Sequence, residues 1–349
     1  MRQKEWKRIG FFTRLLDDAS ASERYQLAIE QILHAERNGF DTAWIAQHHF
    51  HRDEGGLPSP FVFLAHIAAR TRTIRLGTGI VTLPLENAIR VSEDATVLDL
   101  LSNGRLELGV GSGGTPQSFS AFGLEDKHRG QIQARNLTVL RDTLNGKALD
   151  GGNYLYPSGK SLLNRIWQAT FSIEGGIRAG LAGDGLMLSR TQPRSKDHPF
   201  ASLAELQHPI IDAYLAHLPK GIAPRILASR SLFVADNRDE ALKWAEYGLR
   251  RVAGKFADTG HIIRGDKLED LIVSLDTHVG TPDDVVESLS NDTVLERSTD
   301  ISFQVHSVDP PHELILRSIE LTAEKVIPAF EWRNDLIARN TSKQRFPIN

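Results

Sequence analysis

The chain has 349 residues, a length at which roughly three-quarters of the unfolded surface can be buried, so folding needs no covalent staples. Its cysteine count is 0, which excludes disulfides, thiolate-bound zinc and iron–sulfur clusters. With 41 Lys and Arg against 44 Asp and Glu, a net charge of -3 and no long block of one sign, neither nucleic acid nor an anionic membrane is favoured as a partner.

Short apolar runs recur at 9–12, 42–46, 74–81, 106–110, 166–170, 186–189, 226–234 and 301–305. They are rich in β-branched and aromatic residues with little alternation, the pattern of strands covered on both faces. The first follows a basic start, but it is too short for a signal-peptide core or for the roughly 20 apolar residues of a membrane span. The expectation is a cytoplasmic protein. Amphipathic stretches lie between the runs. Ser20 and Glu23 form a capping-box pattern; Tyr25, Ile29, Ile32 and Leu33 then share one helical face, and Asn38-Gly39 closes it. Thr281, Pro282, Asp283 and Asp284 supply an N-cap, a first-turn proline and two acids suited to a helix dipole. Eight strands with helices between them predict an α/β chain folded as a (β/α)8 TIM barrel. The reading is one domain over 1–349, with insertions near 146–164, 190–225 and 257–275.

Such barrels place their chemistry at the C-terminal ends of the strands. After the second strand comes Gln47-His48-His49-Phe50-His51. Imidazoles there suit catalysis, a metal, or a merely polar loop; the spacing does not suit two metal ligands on one rigid element. The third strand carries Gly77 and Gly79, which mark either a close approach by a ligand or tight packing. The fourth ends with Gly109, Gly111 and Gly114 in G-x-G-x-x-G spacing. Thr115-Pro116 delays the next helix and the nearest acids, Glu125 and Asp126, come too early for a dinucleotide fold. A loop baring backbone N–H groups to a phosphate fits without that fold. The fifth strand leads to Thr170 and Ser172, and Ser172 can cap a helix whose N-terminus favours an anion. The sixth leads to Arg190, a guanidinium at the same face or half of a surface ion pair.

Taken in order, Gly39-Phe-Asp-Thr-Ala-Trp-Ile-Ala-Gln-His-His-Phe50, Leu76-Gly-Thr-Gly-Ile-Val-Thr-Leu-Pro84, Glu93-Asp94 with Leu98 to Arg105, Gly109-Val-Gly-Ser-Gly113, Val279 to Pro282 and Leu316 to Pro328 resemble the bacterial luciferase-like monooxygenases. The similarity spans nearly the whole chain and is least distinct over 190–265. It implies an enzyme that takes reduced FMN from a separate, transiently bound flavin reductase and uses O2 to oxidise a small organic substrate through a flavin hydroperoxide. It also implies a homodimer. Carried over position by position, His48 is the active-site histidine, and Thr78, Gly79 and Ile80 lie beneath the flavin ring, with a non-proline cis peptide between Gly79 and Ile80. Ser112, Gly113, Thr170 and Ser172 surround the phosphate. Two departures stand out: Gln47 replaces a glutamate common before the histidine pair, and Ser112 stands where luciferase has an arginine, which leaves the phosphate charge to Arg190, the candidate cation, or to backbone N–H groups. Phe50, Phe61 and Phe171 are candidate apolar walls, with ordinary core the alternative for Phe61. The same barrel also serves deazaflavin-dependent oxidoreductases and non-catalytic flavin-binding subunits, and these stay open, with a metal-dependent hydrolase behind them.

Overall fold

The computed structural model describes residues 6–258 and 262–333. Its strands are β1 (Arg8–Thr13), β2 (Thr42–Ile45), β3 (Arg75–Thr78), β4 (Val81–Thr82), β5 (Leu106–Gly111), β6 (Ile166–Thr170), β7 (Gly185–Leu188), β8 (Ile226–Val234), β9 (Thr277–Gly280) and β10 (Asp300–Gln304). The helices are α1 (Ala21–Arg37), α2 (Pro60–Arg70), α3 (Ala88–Leu101), α4 (Pro116–Ala121), α5 (Arg129–Leu144), α6 (Ile173–Ala182), α7 (Leu203–His217), α8 (Arg238–Asp258), α9 (Leu268–Ser274), α10 (Pro282–Ser290), α11 (Val294–Arg297) and α12 (His312–Leu321). Parallel pairing runs β1–β2–β3–β5–β6–β7–β8–β10 and returns to β1, closing a (β/α)8 barrel; β4 continues β3 along β5. The Ser20–Glu23 capping box and the Thr281–Asp284 box both form, because each hydroxyl satisfies an orphan N–H of the first turn.

Two details differ from expectation. β9 has no counterpart among the predicted runs; it pairs with the outer half of β8, from Ser231↔Thr277 to Val234↔Gly280, outside the ring. The stretch 190–225 is not wholly an insertion, because its Ser202–Glu205 capping box starts α7, the helix that regularly connects β7 to β8. Pro209 inside that helix obscures its periodicity in the sequence. The 146–164 stretch is irregular apart from short turns of 3-10 helix, and 257–275 contains α9 together with residues outside those described.

Alternation hidden in the sequence becomes plain in the barrel. Outward residues such as Ile9, Ala43, Ile45, Leu76, Leu108 and Ile301 join the helix-facing core. Inward ones build a separate cluster of Trp44, Trp167, Met187 and Leu227, with Phe12, Ile80 and Ala169 packed on it. The two indoles meet edge to face at 5.8 Å. Glycines surround them because nothing larger fits. A Cβ on Gly77 would lie 2.2 Å from Trp44, one on Gly185 2.2 Å from Trp167, and one on Gly10 2.9 Å from Trp44. Gly79 similarly yields to Phe12, and Gly111 to Ile80. Below them the buried Glu107 carboxylate accepts from Arg8 (2.8 Å), Arg75 (2.5 Å) and Trp167 Nε1 (2.7 Å). This packed interior leaves the C-terminal mouth as the place for a ligand.

Candidate active site at the mouth of the barrel

His48 leaves the end of β2 with its backbone N–H donating to Leu57 O (3.0 Å). Its Nδ1 stands 3.9 Å from Glu54, whose carboxylate accepts from the Thr115 hydroxyl at 3.1 Å. Burial, reinforced by the charge of Arg14 and by His49, holds the imidazole well below the usual histidine pKa, so it is neutral near pH 7. Gln47 is buried and organises the loop: its amide donates to Glu86 (2.7 Å) and Pro58 O (3.2 Å), approaches His49 Nε2 at 3.0 Å, and its oxygen accepts from Thr82 N (2.7 Å). His49 also packs edge to face on Phe122 at 5.0 Å. Among the described residues no three His, Asp or Glu side chains gather as metal ligands would.

A pocket opens between the loops after β2, β3 and β5, lined among others by His48, Gly79, Ile80, Gly113 and Thr115. The structure thus brings four of the predicted site residues to one space. The Gly79–Ile80 peptide there is cis. Gly113 has φ +69, and a Cβ would meet Thr82 at 2.5 Å, so only glycine carries the loop past β4. Thr78 does not reach the pocket: it is fully buried, its hydroxyl donating to Gly109 O (2.8 Å) and accepting from Gly109 N (2.9 Å). It therefore positions Gly79 rather than offering a donor.

Ser112 and Thr170 are neighbours by register, since Val110 pairs with Gln168 two residues earlier. Thr170 Oγ1 accepts from Ser172 N at 3.1 Å, and Ser172 Oγ accepts from Gly175 N at 3.2 Å as the N-cap of α6. The loops after β5 and β6 thus share a rim with a helix N-terminus beside them. Arg190 is not brought to that rim. Its Nε donates to Gln304 (3.0 Å) and its Nη1 to Ser231 (3.0 Å) and Ser307 (2.8 Å), so the guanidinium turns toward β8 and β10. Of the three phenylalanines, Phe50 and Phe171 are exposed, whereas Phe61 packs on the helix-facing core.

The sequence reading missed Arg14, Glu54 and His306. Arg14 and His306 each lie just past a predicted strand, at a position that points into the mouth, and that placement was the available signal. Arg14 Nη2 donates to Glu54 O at 2.5 Å, and His306 Nε2 is within hydrogen-bond distance of Thr13 Oγ1 at 3.2 Å.

The profile of luciferase-like monooxygenases matches residues 9–291. The chain belongs to the luciferase-like monooxygenase family. Among this family's relatives, the 4-hydroxyprotoasukamycin monooxygenase of Streptomyces nodosus subsp. asukaensis is 28% identical over 312 residues, covering 84% of this chain and 83% of its own. The oxygenase component of the flavin-dependent trigonelline monooxygenase of Acinetobacter baylyi is 34% identical over 100 residues, covering 29% and 28%. In structure, the oxygenating constituent of 3,6-diketocamphane monooxygenase from Pseudomonas putida, solved with FMN, gives a TM-score of 0.69 at 18% identity over 93% of this chain and 98% of its own. The coenzyme F420-dependent tetrahydromethanopterin reductase of Methanopyrus kandleri gives 0.64 at 17% identity over 94% and 100%. At these identities the two structures establish the shared luciferase-like fold alone. Among the described residues no helix is long and apolar enough to cross a membrane.

Proposed function

We propose that this flavin-dependent monooxygenase binds reduced FMN and uses O2 to oxidise a small organic substrate, with His48 as its proton-handling residue. The observation that carries this reading is the shared pocket: His48, Gly79, Ile80 and Gly113 line one space, and the rim that carries Ser112, Thr170 and Ser172 adjoins its Gly113 side. The residues present fit FMN. Gly113 curves its loop past Thr82, Gly114 has nothing within 4 Å of a Cβ, and Thr170, Ser172 and the α6 N-terminus offer hydroxyl and N–H groups to a phosphate beside Ser112. Bound and reduced, FMN supplies the two electrons that O2 activation requires. Neutral His48 can accept or relay a proton at the pocket wall, while Phe50 and Phe122 beside His49 offer apolar surface at its edge. A relative named as an oxygenase component supports delivery of reduced flavin by a separate reductase, and we propose a homodimer on the family resemblance.

The test is oxygen uptake by the purified protein with chemically reduced FMN, across long-chain aldehydes, alkanesulfonates, thioethers and amines, beside a titration with FMN and FAD. We expect tighter binding of FMN than of FAD and uptake coupled to one substrate class. Fold neighbours that use coenzyme F420 define the second reading. Turnover with reduced F420 that consumes no O2, together with no stable FMN binding, would establish that reading and end ours.

A further inference from the structure

Two guanidinium groups lie in the mouth of the barrel with no carboxylate hydrogen-bonded to either among the described residues. Arg190 spends Nε and Nη1 on the neutral acceptors Gln304, Ser231 and Ser307, and its Nη2 makes no hydrogen bond among the described residues. Ser307 in turn donates to Ser231 at 3.0 Å, which fixes the acceptors that aim the guanidinium. Arg14 gives Nη2 to a backbone carbonyl, while its Nε is buried without a partner. Arg190 reaches Ser307, the neighbour of His306, and His306 reaches Thr13, the neighbour of Arg14, so both arginines lie by one imidazole. Burial and then Arg14 push Arg190 down to about 9, and burial lowers Arg14 to about 10 although Glu54 opposes it. His306 stands beside both, its pKa lowered by burial and by each arginine although Asp17 opposes them.

The acids facing this region reach neither guanidinium within hydrogen-bond distance, although Glu54 acts through space on Arg14 and Asp276 on Arg190. Asp276 accepts from Arg194 at 2.7 and 2.8 Å, and Asp309 pairs with Arg251. Asp17 accepts from Gln31 (2.9 Å) and lies 3.7 Å from His306, Asp309 lies 3.9 Å from the other nitrogen of that ring, and Glu54 accepts from Thr115 with His48 3.9 Å away. Buried like charges held by neutral acceptors lose hydration and repel one another, and an anion placed between them removes both penalties.

We propose that the guanidinium groups of Arg14 and Arg190 together receive an anionic group of the substrate, a carboxylate or an oxyanion of similar size. This deepens the monooxygenase reading and rests on it. Position favours substrate over cofactor. The phosphate rim lies on β5 and β6 and the ring position on β3 and β4, whereas the arginines and their partners sit on β1, β7, β8 and β10, the other half of the mouth. Arg190 is then a substrate-binding residue, and its planar fork suits a carboxylate. Gln304, Ser231 and Ser307 are its positioning residues.

The test is calorimetric titration of the full chain, with and without FMN, using hexanoate and benzoate against their uncharged matches hexanamide and benzamide. We expect the carboxylates to bind about ten- to a hundred-fold more tightly than the amides. R190Q and R14Q should each abolish that preference, R190K should keep part of it, and FMN affinity should be unchanged in all three. Should R190Q fail to fold, as judged by circular dichroism, R190K and R14Q carry the comparison. Equal binding of acid and amide, or a preference that survives R190Q and R14Q, overturns the proposal. So does a loss of FMN affinity in R190Q matching its loss of hexanoate, which would assign the pair to the flavin. Carboxylate selectivity in a protein that takes up no FMN would support this site while refuting the flavin reading.

Discussion

At His48, burial and the positive charge of Arg14 act in the same direction, and the 3.9 Å gap to Glu54 is too long for a hydrogen bond that would offset them. The imidazole is consequently neutral at physiological pH, which suits a group that accepts or relays a proton. His48→Ala should keep the fold and the flavin affinity while coupled turnover falls by roughly 10²–10⁴, the size of a general acid–base contribution. The measurement is product formed per O2 consumed; a variant running at the wild-type rate would make His48 structural. That His48 shares a pocket with Gly79, Ile80 and Gly113 was legible, because each follows closely on a strand. Arg190 was found but misdirected, since a loop side chain's heading depends on Gln304, Ser231 and Ser307, more than forty residues away in sequence. Thr78 shows the same limit: nothing local announces that its hydroxyl bridges to Gly109.

Among the elements, the eight barrel strands were readable because both faces are buried, which turns each into a short apolar run. β9 was not, because Thr277–Gly280 is brief and carries His278, which bonds to Ser288 at 2.7 Å rather than joining an apolar layer. The G-x-G spacing of β5 has a plainer cause than a nucleotide fold. Glu107, Gly109 and Gly111 are its inward positions, and the interior is already filled by Met187, Ile80 and the β3 backbone. A Cβ on Gly109 would sit 2.1 Å from Thr78 O, where no side-chain rotation relieves the contact. Gly109→Ala should therefore destabilise by about 3 kcal/mol or more, the upper range for overpacking. The exposed Gly130 of α5, with nothing within 4 Å of its Cβ, should by contrast be neutral or gain up to about 1 kcal/mol as alanine. Urea denaturation of the two variants reads the difference, and equal midpoints would mean β3 and β5 yield freely.

Across the whole molecule, several imidazoles are folded into places that favour their neutral form. Burial lowers His48, His306 and His278 alike, and His278 reaches about 4 even though Asp292 opposes the shift. Above about pH 6.5 these groups are neutral in both folded and unfolded chains, so they leave stability unchanged. As the pH falls below that value, the unfolded chain takes up protons that the folded one resists, and stability declines. For His278 the decline runs from about 6.5 to about 4 and then levels off, since below its folded pKa both states are protonated. That interval corresponds to about 3 kcal/mol at most. The protein should accordingly show a denaturation midpoint that falls from near pH 6 downward, opposed in part by Glu86, Asp184, Asp276 and Asp300, whose carboxyl pKa values burial raises. His278→Gln keeps a polar partner for Ser288 without a titrating ring, and it should flatten part of the slope between pH 6 and pH 4. Melting temperatures across that range check this: a slope in the variant equal to that of the parent would place the acid sensitivity in the mouth of the barrel, with His48 and His306, rather than beside β9.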